Sequence, residues 1–261
     1  MNSEVDVPPV SLFNPDGGSS LLLVCEHASS YIPDHYENLL LSDEVLRSHA
    51  AVDIGALDLA ESLSQLLDAP LLSAGISRLV YDCNRAPGDP GAIPEKSEVF
   101  RIPGNHNLTE SEVRTRYESY YLPFETAVSE RLAKYSRSPL FITIHSFTPV
   151  YHGESREVDI GMVCDQDSRL GESLVELASE FTSHCVRLND PYGPGGGVTH
   201  TLGFHAVNNG LLNVMIEIKN NLLGSNEHRE KMASMLAALI SRSAAAFGYS
   251  IPLEKEHATN I

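Results

Sequence analysis

The chain has 261 residues, 42% hydrophobic and 20% charged, which suits one α/β domain with a well-buried core and leaves too little chain for two. Its formal charge is −17, from 18 Lys and Arg against 35 Asp and Glu, which argues against nucleic acid or an anionic membrane surface as a general partner. No run approaches the roughly 18 continuous apolar residues of a membrane span, residues 1–6 lack the basic start of a secretory leader, and Cys25, Cys83, Cys164 and Cys185 form no CxxC pair, so a reduced, cytoplasmic protein is expected.

Residues 1–18 carry Pro8, Pro9, Pro15, Gly17 and Gly18 and read as an arm ending in a turn. Leu21–Cys25 is an unbroken apolar run of the kind a central parallel strand shows when both faces are covered. Over residues 42–68, Ser42 offers a cap, Asp43 and Glu44 suit the positive helix start, and apolar residues recur at helical spacing to Leu67, which predicts one helix. Residues 70–73 and 79–81 are strand candidates. The glycines and prolines of residues 84–107 predict a long surface loop, and such loops in small domains are usually functional or mobile. Thr109-x-x-Glu112 is a capping box opening a helix that runs to about Tyr135. Residues 140–144 are the clearest buried strand, 158–164 another, and 170–182 a helix. Residues 191–197, PYGPGGG, form a glycine-rich loop. Residues 214–218 read as a strand. Residues 225–247 read as a helix with Met232, Met235, Leu236, Leu239 and Ile240 on one stripe, ended by Gly248 and followed by a mobile tail, 249–261. Short apolar strands alternating with helices predict a single three-layer α/β domain, a mainly parallel or mixed sheet with helices on both faces.

In open α/β sheets ligands bind beyond the carboxyl ends of the strands. His27 follows the first buried run by two residues, His145 follows residues 140–144 directly, and Glu217 sits inside the run 214–218, where an unpaired carboxylate costs several kcal/mol of desolvation. Two imidazoles and a carboxylate on one rim are what a zinc-type catalytic site requires, with a position left open for water and a Glu to take its proton. Each residue has a plainer reading beside it. A strand-end histidine is often a hydrogen-bonded structural residue, and Glu217 shares a strand face with Lys219, a ready ion-pair partner. Asp53 is expected within the first helix, one turn after His49, either as a solvated His–Asp pair or as a metal ligand or an orienter of one. Arg78 and Arg85 are either surface ion-pair partners or forks for a substrate carboxylate. Tyr192, His200 and His205 accompany the glycine-rich loop as a possible cover.

The segments Cys25-Glu26-His27-Ala28-Ser29, His49…Asp53-Ile54-Gly55-Ala56, Asp82-Cys83-Asn84-Arg85, Ile144-His145-Ser146-Phe147 and Ile216-Glu217-Ile218-Lys219 together resemble the N-formylglutamate amidohydrolases over roughly residues 20–248. The resemblance implies a fold similar to the zinc carboxypeptidases, and a divalent metal, zinc or else cobalt or another ion. It also implies hydrolysis of a small N-acyl amino acid such as N-formyl-L-glutamate, by a monomer or small homo-oligomer. Carried over, His27 and His145 become metal ligands, Glu217 the general base, and Arg85 a contact for the substrate carboxylate, with Arg78, Ser146 and His205 beside it. Where the carboxypeptidases use His-x-x-Glu, His27 is followed by Ala28, Ser29 and Ser30, which leaves Asp53 as the second ligand. Lys219 stands where the family is expected to carry arginine. Another N-acylated acid or a small peptide as substrate, or a non-catalytic ligand-binding relative, are the competing expectations.

Overall fold

The computed structural model describes residues 7–195 and 197–253. Its middle layer is a seven-stranded sheet: β1 (Val10–Phe13), β2 (Leu21–Cys25), β3 (Leu71–Ala74), β4 (Leu140–Phe147), β5 (Ile160–Val163), β6 (Val186–Leu188) and β7 (Asn213–Lys219). The spatial order is β1-β3-β2-β4-β7-β5-β6. Strands β3, β2, β4 and β7 run parallel, β1 is antiparallel to β3, β5 is antiparallel to β7, and β6 is parallel to β5. The sheet is thus mixed, and every residue of β2 and β4 is buried, as their apolar runs demand.

Helices cover both faces. Alternate residues of a strand point to opposite sides, so Leu21, Leu23 and Cys25, Ile142 and Ile144, and Val214, Ile216 and Ile218 pack beneath three helices. These are α1 (Ala56–Leu66), α3 (Arg169–Leu177) and α4 (Asn226–Ala246). The intervening residues Leu22, Val24, Phe141 and Met215 face Phe124 and Val128. Those two belong to α2, which starts at Glu110–Arg116, passes a π-turn at Tyr117–Tyr121 and ends as Leu122–Leu132. The Thr109–Glu112 capping box opens it, with both reciprocal hydrogen bonds made.

Several expectations need correction. Residues 42–68 do not form one helix: a single turn at Asp43–Leu46 is followed by irregular chain, and α1 begins only after Gly55, whose φ is +79°. A Cβ at Gly55 would stand 2.7 Å from the Leu223 Cβ, so the close approach and the left-handed backbone both require glycine and break the helix there. Asp53 therefore lies in the loop before α1. Residues 79–81 are a buried turn, closed by the Val80 amide on the Ser77 carbonyl at 2.9 Å. His145 lies inside β4 rather than after it. The arm contains the edge strand β1, whose four residues pair with β3. Of the tail, Ile251 is buried and its carbonyl accepts from the Ser241 hydroxyl, while residues 254–261, like 1–6, lie outside the described residues. Strand β6 and the helical turn Leu202–Ala206 were not expected, being too short for a periodic signal.

Candidate active site at the carboxyl ends of the central strands

The parallel pairing of β4 with β7 sets Glu217 directly beside His145. Both point to the α2 side of the sheet, in the same alternation as Phe141 and Met215. His27 enters from the end of β2, and the Asp53 amide donates to the His27 carbonyl at 3.0 Å, which ties the loop before α1 to that strand end. His27, Asp53, His145 and Glu217 are all buried. They line one cleft of about 270 Å³, enough for a small molecule and too little for a folded partner.

Three ligand-type atoms converge there. The Nδ1 atoms of His27 and His145 are 3.2 Å apart, and Asp53 Oδ2 is 3.2 Å from the first and 2.9 Å from the second. The other face of each imidazole meets a further carboxylate: His27 Nε2 lies 2.8 Å from Asp82 Oδ1, and His145 Nε2 lies 3.0 Å from Glu26 Oε2, an ion-pair distance off the hydrogen-bond axis. Carboxylates behind the ligating histidines are the usual device for fixing ring orientation at metal centres. Arg78 bridges the set, with Nη1 3.2 Å from Asp53 Oδ1 and Nη2 3.2 Å from Asp82 Oδ2.

The electrostatics call for positive charge at the centre. Burial alone would lower both imidazoles, yet Asp82 and Asp53 raise His27 against the opposing Arg78, and Glu26 and Asp53 raise His145 well above the ordinary range. Burial alone would raise Asp53, Asp82 and Glu26, but the facing imidazoles hold all three below the usual carboxylate range. Glu217 behaves in the opposite way. Burial, aided by Asp53, pushes its carboxyl up to about 7, and its Oε2 is buried without a hydrogen-bond partner. It is not the partner of Lys219, whose Nζ sits 2.8 Å from Asp159 Oδ1.

The remaining expected residues divide. Arg85 lines the cleft with Nε 3.9 Å from Asp82 Oδ2. Ser146 also lines it, but its hydroxyl donates to the Ile54 carbonyl (2.9 Å) and its amide to Asp53 Oδ2 (3.3 Å), so it holds Asp53 in place. Arg78 also lines the cleft, its guanidinium paired with Asp53 and Asp82. His205 is not in the cleft: it is buried, its ring stacked 6.2 Å from that of Phe141, and burial lowers it to about 4. The glycine-rich loop turns away at Leu202, carrying His205 under the sheet. Tyr192 does line the cleft, whereas His200 instead meets the Tyr121 hydroxyl at 2.8 Å. His49 lines the cleft, with Nδ1 3.7 Å from Asp53 Oδ1.

Sequence reasoning assigned no role to Glu26, Asp82 or Asn84. Glu26 continues the face of Leu22 and Val24, a signal available in the strand alternation. Asp82 and Asn84 had no such signal, because the turn that presents them is set by tertiary packing. Asn84 accepts from the Thr201 amide (3.0 Å) and donates to the Val198 carbonyl (2.6 Å), joining the loop after the buried turn to the glycine-rich loop.

Among known proteins, a solved gene product of Agrobacterium tumefaciens is 48% identical, with a TM-score of 0.90 over 92% of this chain and 96% of that one. The N-formylglutamate amidohydrolase of Ralstonia eutropha JMP134 is 20% identical and similar in fold, with a TM-score of 0.69 over 92% of this chain and 98% of that one. A metallo-carboxypeptidase from Burkholderia cenocepacia aligns at 11% identity over 93% of this chain and 66% of that one, with a TM-score of 0.43. A comparison with curated proteins found no match. The family model described as N-formylglutamate amidohydrolase matches residues 19–223, a span that takes in all five sequence segments and the whole cleft cluster. The chain belongs to the N-formylglutamate amidohydrolase family.

Proposed function

We propose that this protein hydrolyses the amide of a small N-acyl amino acid, of which N-formyl-L-glutamate is the first to test. His27, Asp53 and His145 would hold a divalent cation and Glu217 would act as general base. The observation that carries the reading is the meeting of two imidazole nitrogens and a carboxylate oxygen within 3.2 Å of one another, beside a buried Glu217 whose Oε2 has no hydrogen-bond partner. Two nitrogen donors and one oxygen donor suit zinc, and also cobalt, with a position left for water. Bound there, such an ion would polarise the acyl carbonyl and acidify water.

Family membership supports an amidohydrolase acting on N-acyl amino acids. The chain's own groups account for the proton transfers. Glu217, with its carboxyl near neutrality, takes a proton from the water whose oxygen attacks the acyl carbon. As the C–N bond breaks, it delivers that proton to the departing nitrogen, leaving a free acid and an amine. Asp82 and Glu26 keep the imidazole rings turned so that Nδ1 faces the centre. Arg85 stands at the cleft wall for the substrate carboxylate, while Arg78 neutralises Asp53 and Asp82. The metal content of the purified protein and turnover of a panel of N-formyl- and N-acyl-amino acids test this reading. A stoichiometric divalent ion lost in His145→Ala, together with lost turnover, is expected. No bound ion, with activity unchanged in His145→Ala, would overturn it.

A further inference from the structure

Arg156 lies outside the cleft, yet its guanidinium sits among three aromatic rings: 5.3 Å from the Phe147 centroid, 4.7 Å from Tyr151 and 5.1 Å from Tyr192. Its Nη1 donates to the Thr148 carbonyl and to the Tyr192 hydroxyl, each at 3.3 Å. Its own amide donates to the Pro149 carbonyl at 2.9 Å. Tyr151 and Tyr192 line the cleft, and Phe147 is the fully buried last residue of β4, two places after His145. Tyr151 belongs to the small hairpin Val150–Tyr151 with Glu154–Ser155, turned by His152 and Gly153 at φ +51° and +86°. Tyr192 belongs to the glycine-rich loop, from a different part of the chain. Arg156 thus touches the hairpin, the glycine-rich loop and the end of β4 at once.

We propose that Arg156 is a positioning residue that clamps Tyr151 and Tyr192 as the outer wall of the cleft, and that this wall grips the part of the substrate lying beyond the scissile amide. A guanidinium does this where an ammonium does not, because its flat face lies against rings while its edge donates in fixed directions. Loss of the clamp would loosen both tyrosines while leaving His27, Asp53, His145 and Glu217 in place. The expected signature is weakened substrate binding with the chemical step intact. The inference rests on the hydrolase reading for its substrate, and its test is arranged so that the two can fail separately.

In the metal-loaded protein, Arg156→Ala is expected to raise KM for N-formyl-L-glutamate at least tenfold with kcat within threefold. Arg156→Lys is expected to remain impaired. Tyr151→Ala, at a residue 41% exposed and so of little consequence for folding, is expected to show the same KM effect, and to add little when combined with Arg156→Ala. Wild-type kinetics in Arg156→Lys, a loss confined to kcat, or fully additive effects of the two alanine variants would overturn the clamp. Calorimetric titration of N-formyl-L-glutamate into Glu217→Gln protein, with and without Arg156→Ala, reads binding without turnover. Binding that Arg156→Ala weakens tenfold supports the clamp even if the wild type hydrolyses nothing. Equal binding by both proteins overturns it.

Discussion

At Glu217 burial pushes the carboxyl up to about 7, and no hydrogen bond reaches its Oε2, so an ionised carboxylate is held there against its solvation. The unfolded chain gives up that proton near the ordinary glutamate value of 4.5, while the folded chain keeps it to about 7. Stability therefore falls as pH rises between those values and stays low above them. Glu217→Gln removes the ionisation. Metal-free Glu217→Gln is expected to be more stable than wild type by about 1–3 kcal/mol at pH 8 and by much less at pH 5, measured by denaturant unfolding. The same variant should lose roughly 10²- to 10⁴-fold in kcat while retaining its metal. An equal gain at both pH values, or retained activity, would remove Glu217 from the role of base. The carboxylates behind the imidazoles give a separate test. Asp82→Asn and Glu26→Gln each leave a ring without its charged partner and should weaken metal affinity roughly 10- to 100-fold in a chelator competition. His205, buried against Phe141, should leave that affinity untouched when changed to Phe.

Among the elements, the loop between the Asp43–Leu46 turn and α1 decides whether the site forms. Gly55 carries φ +79° and packs its α-carbon against Leu223, so Gly55→Ala brings both a left-handed alanine and an overlap at 2.7 Å. Together these should cost about 2–4 kcal/mol in thermal or urea unfolding, with metal affinity falling too, because Asp53 lies two residues away. If Gly55→Ala unfolds like wild type, the close approach is not a constraint. That loop also shows where sequence reading stopped. Leu21–Cys25 and residues 140–144 declared themselves as buried strands because unbroken apolar runs have few other homes, and Thr109 with Glu112 marked a helix start through local chemistry alone. Residues 42–68 looked continuous because apolar spacing does not register a glycine held in left-handed backbone by a residue 168 positions away. That His27 and His145 come together was legible only in part: His27 follows a buried run as expected, whereas His145 lies inside β4 rather than after it. The turn that presents Asp82 was not legible, since residues 79–81 are apolar for burial and not for pairing. Lys219 shows the converse: alternation placed it on the face of Glu217, but Asp159, distant in sequence, takes its charge.

Over the whole molecule, 35 acidic residues against 18 basic ones leave little positive charge to spare, and four acidic side chains, Glu26, Asp53, Asp82 and Glu217, are buried together at the carboxyl ends of the central strands with Arg78 and Arg85 beside them. Without a cation, the balance must come from protons. His27 and His145 are raised above the ordinary histidine value of 6.5 and Glu217 is raised to about 7, so the metal-free fold holds protons that the unfolded chain has released. Groups raised in this way lend stability below their unfolded pKa and lose it as pH climbs through their folded pKa. The lowered carboxylates Glu26, Asp53 and Asp82 act oppositely, but only in acid, below the usual carboxylate range. Between pH 6 and 9, then, the raised groups govern the site, and metal-free protein should lose stability across that interval. A divalent ion displaces those protons, so its hold strengthens with pH, and ion at a hundredfold its Kd adds about 2.7 kcal/mol. The gap in Tm between zinc-loaded and chelator-stripped protein should therefore widen from pH 6 to pH 9 by scanning calorimetry at fixed free zinc. It should vanish at every pH in a His27→Ala, His145→Ala double variant. A gap that narrows with rising pH, or that survives in the double variant, would place the cation somewhere other than between these two imidazoles.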